Sequence, residues 1–243
     1  MKIKVIIPIT TRDFIEPSRE EVEKFASKGT EIDVECLEYG TTSIESMYDE
    51  MLCAPGILKM AEAAQSEEFD GVFIDCMGDP ALDAVREKLD IPVVGPGRVC
   101  VLYAADLAHK FSIVTVLENV VVMLKKLAVE VGLGSKLASV RSVAIPVLGL
   151  TDVKKLTDAL VDESIKAIEE DGAHAIVLGC TGMLGVAGDL SDALKKKGYE
   201  IPVIHPVAVS IKYLETLISL NLTQSKKTYM PPPEKDRNIL ERL

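Results

Sequence analysis

"GVFIDCMGDPALDAVREKL" (residues 71–89) and "AHAIVLGCTGMLGVAGDL" (residues 173–190) are built alike. In each, a short apolar run ends at a cysteine, Cys76 or Cys180. A glycine two positions on, Gly78 or Gly182, marks a turn, and a helical pattern follows. Apolar runs this short, rich in Val and Ile and bounded by turn residues, read as strands buried on both faces, the habit of parallel sheets covered by helices. Two such units in one chain predict an α/β protein.

The same alternation extends in both directions. Strands are predicted at Ile3–Ile9, Ile32–Leu37, Val72–Asp75, Pro92–Val94, Phe111–Val116, Val140–Ile145, Ala175–Leu178 and Pro202–Ile204. The clearest helices are Ile44–Ser66, Ala81–Lys88, Arg98–Ala108, Val120–Val131, Val153–Glu170, Leu190–Lys197 and Val207–Leu220, each apolar on one face and charged on the other. Asp152 is positioned as an N-cap.

Overlaying the halves reveals a repeat. "IKVIIPIT" resembles "FSIVTVLE", "GVFIDC" resembles "AIVLGC", and "IPVVGPGRVCVLY" resembles "IPVIHPVAVSIKY". Buried strands share a Val and Ile vocabulary, so the matching order of elements carries more weight than the letters. The expected fold is two similar lobes related by a pseudo-twofold axis, each an open, mostly parallel sheet flanked by helices. Residues 1–97 with a returning helix at 207–222 form the first lobe, residues 98–206 the second, and residues 223–243 a C-terminal extension. Three prolines and many charges set that extension apart, and "EKDRNILERL" within it has the pattern of a short helix.

Composition narrows the function. The chain has 243 residues, of which 48% are hydrophobic, enough to fill a core. Its 38 acidic and 27 basic residues give a formal charge of −11, which repels a phosphate backbone and argues against nucleic acid as a partner. Charges, Pro or Gly interrupt every apolar stretch short of membrane-spanning length, and the N-terminus reads as a strand rather than a signal peptide. The five cysteines are scattered without a C-x-x-C pair, which suits a reducing, cytoplasmic setting and offers no metal site. The three histidines form no ligand cluster; His109 and His174 are expected at the far strand ends, facing solvent. "GPG" at 95–97 lacks the remaining residues of a nucleotide-binding loop.

In an open parallel sheet, ligands bind at the carboxyl ends of the strands. Both Cys76 and Cys180 belong there, and facing lobes would bring them to one cleft from opposite sides. A lone cysteine at a strand end is ordinarily core packing, and Cys100, without a repeat-mate, is read that way. Equivalent placement in two repeats singles out the pair. Opposed thiols suit inversion of a stereocentre: one thiolate removes a proton while the other, as a thiol, donates one to the opposite face. Helix N-termini directly after the cysteines would favour the thiolate. Amides near Gly78 and Gly182 could stabilise enolate-like charge.

At these residues, "DCMGDPAL" (75–82) and "GCTGM" (179–183), the sequence resembles the aspartate/glutamate/hydantoin racemase superfamily, nearest its hydantoin and allantoin racemase branch, over roughly residues 3–220. The resemblance implies cofactor-independent, two-base racemisation with Cys76 and Cys180 as the catalytic pair, no metal, a small-molecule substrate and a homo-oligomer. Two stretches depart from the family pattern. Where hydantoin racemases commonly carry N-P-N-[ST], this chain has "IPIT", in which only Pro8 and Thr10 fit, and His205 stands where relatives often have aspartate.

Further substrate-binding candidates are Thr10 and Thr11 after the first strand, Thr181 beside the second cysteine, Asp79, preferred over Asp75, and His205. Each also has a structural reading as a cap or turn residue. Arg98 would meet a substrate carboxylate if its loop turned inward. The leading substrate class is a 5-substituted hydantoin or related ureide. Alternatives are an amino-acid racemase, a maleate-type cis–trans isomerase, a malonate decarboxylase, which in this superfamily retains one cysteine, and a non-catalytic metabolite-binding protein.

Overall fold

The first strand, β1 (Lys2–Ile7), is buried along all but its first residue and forms the centre of a sheet. Helix α1 (Ile15–Phe25) leads to β2 (Glu31–Cys36), and α2 (Met47–Ser66) to β3 (Gly71–Ile74), every residue of which is buried. The chain continues through α3 (Leu82–Lys88) to the short β4 (Val93–Val94) and α4 (Pro96–Leu107). The second half repeats the scheme: β5 (Phe111–Thr115), α5 (Glu118–Glu130), β6 (Leu137–Ser142), α6 (Val153–Glu169), β7 (Ile176–Leu178), α7 (Val186–Lys196), β8 (Val203–Ile204) and α8 (Pro206–Ser219). These elements come from a computed structural model, which describes residues 1–236.

Two four-stranded sheets result, ordered β2-β1-β3-β4 and β6-β5-β7-β8, with every pairing parallel. The order is the same in both, so the two α/β lobes inferred from sequence are present as topological copies. In each, the chain winds first to one side of its opening strand and then to the other. The crevice at this switch point lies between β1 and β3 in one lobe and between β5 and β7 in the other. Helix α8 returns to pack on β3, β4 and α1, and also against α4.

The deepest large side chains include Phe73, Ile74, Phe111 and Ile113, all fully buried on the central strands. Burial of each contributes roughly 2–3 kcal/mol. Because helices cover both faces, the strands carry apolar residues in succession rather than in alternation.

The structure departs from the sequence reading at identifiable places. Helix α1 was not among the helices anticipated, because its buried residues are Ser18, Glu21 and Val22, so its inner face looks polar in sequence. Strand β6 starts at Leu137 rather than Val140; it is an edge strand, mostly half-buried, and lacks a strong apolar run. Helix α2 starts at Met47, after Ser46 accepts the Asp49 amide, rather than at Ile44. Helix α7 starts at Val186, after Gly185 in the left-handed region, rather than at Leu190. Asp152 does cap α6, accepting from the Lys155 amide at 3.1 Å.

The start of the C-terminal extension is bound to the first lobe. The Gln224 side chain accepts from the Val93 amide and donates to the Leu89 and Ile91 carbonyls, while Lys226 donates to Leu89 at 2.6 Å. The Tyr229 hydroxyl takes bonds from Arg86 and Arg98. The helix anticipated over 234–243 lies mostly outside the described residues. Among the described residues, no helix is long and apolar enough to cross a membrane.

Glu215 anchors α8 by accepting from the Ser27 amide and hydroxyl and from the Thr30 hydroxyl. Burial would raise its pKa, but these bonds and Lys212 outweigh that and hold it at about 2. The folded-state pKa is therefore below the unfolded one, so its contribution is full above the ordinary carboxylate range and disappears as pH falls toward 2. Glu215→Gln should cost about 3 kcal/mol or less at pH 7 and flatten the acid side of the stability profile. Urea melts between pH 3 and pH 7 check this; an unchanged pH dependence would contradict it.

Candidate active site

Each cysteine sits in a turn directly beyond a central strand. Cys76 follows β3 and Cys180 follows β7, and each lies six residues ahead of its helix, α3 or α7. This corrects the expectation that the thiols lie at helix N-termini. Their donors are amides of the turns: Gly78 N–H faces the Cys76 thiol, and the Gly182 and Met183 amides face Cys180. The first turn is strained, since Asp79 and Ala81 adopt φ of 52° and 58°, a region that non-glycine residues rarely occupy.

Both cysteines open onto one small cavity of about 50 Å³ between the lobes. Ile7, Pro8 and Ile9 from the end of β1, Asp75, Phe14 and Ser18 of the α1 region, and Ile44 line it from the first lobe. Val147, Thr181 and Gly182 line it from the second. Two bonds tie the lobes together at its walls: the Thr181 hydroxyl donates to the Asp75 carbonyl at 3.1 Å, and Glu45 accepts from the Val147 amide at 2.7 Å. No lysine, arginine or histidine is among the lining residues. Phe14, Val147 and Gly182 also border a second, largely apolar groove with Pro17, Leu148, Leu150, Val153 and Leu184.

Burial dominates the electrostatics. It raises the Cys76 thiol well above its ordinary range, with the Gly78 amide opposing and Glu50 and Cys180 adding to the effect. Burial likewise pushes Cys180 to about 12, against the Gly182 amide, with Asp75 and Glu45 reinforcing the shift. Asp75 is raised by burial to about 6, opposed by the Thr181 and Ser18 hydroxyls. One of its buried carboxylate oxygens, Oδ1, has no partner in the protein. An acceptor left unpaired in a cavity is a natural contact for a ligand N–H.

The candidate binding residues separate clearly. Thr181 and Gly182 line the cavity. Thr10 and Thr11 do not line it; their hydroxyls donate to the Thr41 and Thr42 carbonyls and hold the loop that brings Ile44 and Glu45 to the site. Gly78 does not line the cavity, although its amide faces the Cys76 thiol. Asp79 points away and accepts from the Gly97 and Arg98 amides at 2.7 and 2.8 Å, capping α4. The first of these bonds occupies the Gly97 amide of the "GPG" turn. His205 lies outside the cavity as the N-cap of α8, accepting from the Ala208 amide and paired with Glu21 at 2.6 Å. Arg98 turns outward to Asp83 and Tyr229.

Sequence reasoning passed over Asp75 in favour of Asp79. Its signal was its position, between the end of β3 and Cys76 at the switch point. Ser18 and Phe14 were missed with α1. Cys100 is fully buried, as expected of a packing residue, and His109 and His174 are exposed. Among the described residues, no group of three or more His, Cys, Asp or Glu side chains is arranged to hold a metal.

Two parallel-sheet lobes bring both thiols to one cavity, and comparison with known proteins identifies the family. Residues 3–214 match the Asp/Glu/Hydantoin racemase family. A hydantoin racemase from Pseudomonas sp. is 37% identical over 97% of this chain and 94% of its own. The allantoin racemase from Klebsiella pneumoniae superposes with a TM-score of 0.89 at 35% identity, covering 97% of this chain and 95% of that one. That of Pseudomonas fluorescens gives 0.90 at 30% identity, covering 98% and 99%. The chain belongs to the Asp/Glu/Hydantoin racemase family and is a racemase.

Raised thiol pKa values have a direct chemical consequence, because the thiolate is the reactive form. Alkylation of Cys76 and Cys180 by iodoacetamide should accelerate about tenfold per pH unit from pH 7 to pH 9. Site-resolved mass spectrometry measures this. A plateau below pH 8 at either residue would show a thiolate already formed and contradict burial as the dominant influence.

Proposed function

We propose that this racemase uses Cys76 and Cys180 as its two bases and acts on 5-substituted hydantoins or closely related ureides. One thiolate takes the C5 proton, leaving its electron pair delocalised into the adjacent carbonyl. The other thiol then protonates the opposite face of C5. Each half of the reaction moves one proton, and the product leaves with the two thiols in exchanged protonation states. Proton transfer by a positioned group of this kind contributes typically about 10²- to 10⁴-fold.

The observation that carries the substrate assignment is the charge of the cavity wall. A free amino acid, an unsaturated diacid or a malonate would bring a carboxylate to a wall with no cationic side chain among its described residues and with the carboxyl of Asp75 present. A ureide ring is neutral and offers N–H groups, for which the unpaired Oδ1 of Asp75 is a fitting acceptor. The adjoining apolar groove supports a substituent at C5 that is apolar rather than charged. The names of the relatives, hydantoin and allantoin racemases, support the same substrate class.

Incubating each enantiomer of several 5-substituted hydantoins in heavy water, with free amino acids for comparison, tests this reading. Optical signal should decay as deuterium enters C5, and Cys76→Ala and Cys180→Ala should each lower the rate about 10³-fold. Conversion of amino acids but not hydantoins would overturn the substrate assignment, and conversion unaffected by either cysteine would overturn the mechanism. Asp75→Ala should lower kcat/KM for hydantoins about 10- to 100-fold, the value of one hydrogen bond to a charged group. A variant with wild-type kinetics would remove Asp75 from substrate binding.

Self-association, implied by the family resemblance, is part of this proposal. Tyr48, Met51 and Leu52 form an exposed apolar stripe on α2, 71%, 72% and 47% accessible, and provide a face for it. All five cysteines are free, which supports a reducing, cytoplasmic setting.

A further inference from the structure

A two-base racemase ends each turnover in the wrong state for the next molecule of the same enantiomer. If Cys76 has taken the substrate proton, it leaves as a thiol while Cys180 leaves as a thiolate. The enzyme must return a proton from Cys76 to solvent and restore one to Cys180. Cys76 is half-buried and opens onto the substrate cavity, while the residues that follow it, Gly78, Asp79 and Ala81, line a second cleft of about 230 Å³.

Glu50 stands between that cleft and the cysteine turn. It projects from the first turns of α2, lines the cleft together with Lys126 and Glu130 of α5, and lies against Gly78. A Cβ atom at Gly78 would fall 2.0 Å from Oε1 of Glu50, so only glycine lets the carboxyl approach the loop this closely. The amide of the same glycine faces the Cys76 thiol. Oε1 is shielded from solvent and has no hydrogen-bond partner. An unpaired carboxyl oxygen in such a position costs stability, and no hydrogen bond among the described residues compensates it.

We propose that Glu50 is a proton relay that resets Cys76 between turnovers by carrying its proton to the cleft. The inference rests on the two-thiol reading above. In the reset, the Cys76 S–H bond breaks and the proton passes by way of a water molecule to the Glu50 carboxylate, leaving a thiolate. The resulting carboxylic acid then gives the proton to water or a buffer base in the cleft, while Cys180 regains one from solvent through the vacated substrate cavity. Protons and charge balance over the cycle.

The electrostatics suit this role. Burial, then Asp79, raises Glu50 to about 7, with Lys126 opposing and Glu130 and Asp49 adding. A carboxyl titrating there exists in both forms at neutral pH, and its proton affinity is much closer to that of a thiol than water's is. Glu50 does not reach the substrate cavity, so its part is played through Cys76.

Kinetics of the full-length protein with an enantiopure 5-substituted hydantoin distinguish a relay from a packing residue. When reset limits turnover, its loss lowers kcat and KM together, because at low substrate the free enzyme has time to equilibrate. Glu50→Gln should therefore lower kcat about tenfold or more, with a matching fall in KM. Added imidazole, small enough to enter the cleft, should restore kcat in the variant and leave the wild type unchanged. Glu50→Asp, which keeps the carboxyl but withdraws it from Gly78, should give an intermediate kcat and decides the question if the Gln variant does not fold. A fall in kcat/KM without buffer rescue, or no change in kcat, overturns the relay. Absence of racemisation by the wild type would instead overturn the two-thiol hydantoin reading, a result separable from either.

Discussion

Desolvation of two thiols at one small cavity governs the arrangement of the rest of the molecule. A cysteine largely withdrawn from water resists ionisation, and here each thiol faces a nearby carboxyl that resists it further. Bases of high proton affinity are useful for removing a proton from carbon only if the fraction ionised at working pH is not lost altogether. The turn amides at Gly78, Gly182 and Met183 provide that balance. They act over short distances and remain fixed, so they favour a thiolate without admitting water. The strained backbone at Asp79 and Ala81 is part of the same design, because the turn must bring an amide back toward the sulfur just before it.

The cavity exists because two copies of one topology meet at their switch points. Each lobe alone would present an open crevice at the carboxyl ends of its strands, wet and shallow. Closure depends on contacts that neither half could make by itself. Thr181 binds the Asp75 carbonyl, Glu45 binds the Val147 amide, and α8 returns across to pack on α1, β3 and β4. The loop holding Ile44 and Glu45 is secured by the Thr10 and Thr11 hydroxyls. Several residues with the chemistry of ligands therefore serve to hold the lobes at the separation the thiols require.

This division explains what could be read in the sequence. The repeated strand, cysteine and glycine were legible because burial on both faces of a parallel sheet forces a continuous apolar run, and the turn beyond it needs glycine. The two-lobe arrangement and the meeting of Cys76 with Cys180 followed from the repeat; the strand order did not. The thiols' electrostatics did not, because they depend on where the helices begin, and Ala81 and Gly185 delay those starts in the left-handed region. Helix α1 was hidden by its polar buried face, and with it Ser18 and Phe14. Asp79 and His205 are polar residues at strand ends, which in sequence cannot be told from ligand-binding groups. Only the direction of their hydrogen bonds, toward α4 and α8, reveals them as caps.

The lobes match in fold but not in charge, and the difference is consistent with the proposed reaction. Two enantiomers have equal free energy, yet a substrate bound in one orientation presents different neighbours to each thiol. The first lobe places Asp75 before its cysteine, while the equivalent position in the second is Gly179, pressed against Thr115, whose hydroxyl donates to the Gly179 carbonyl. One side of the cavity thus supplies a polar anchor and the other a close-packed wall. Behind the first turn lies a carboxyl without a partner; behind the second, the Glu21 carboxylate is fully engaged, accepting from the Gly185 amide and paired with His205. On the proposed reading, duplication supplies two bases in opposed positions, and divergence of the residues around them separates the binding of the substrate from the return of the proton.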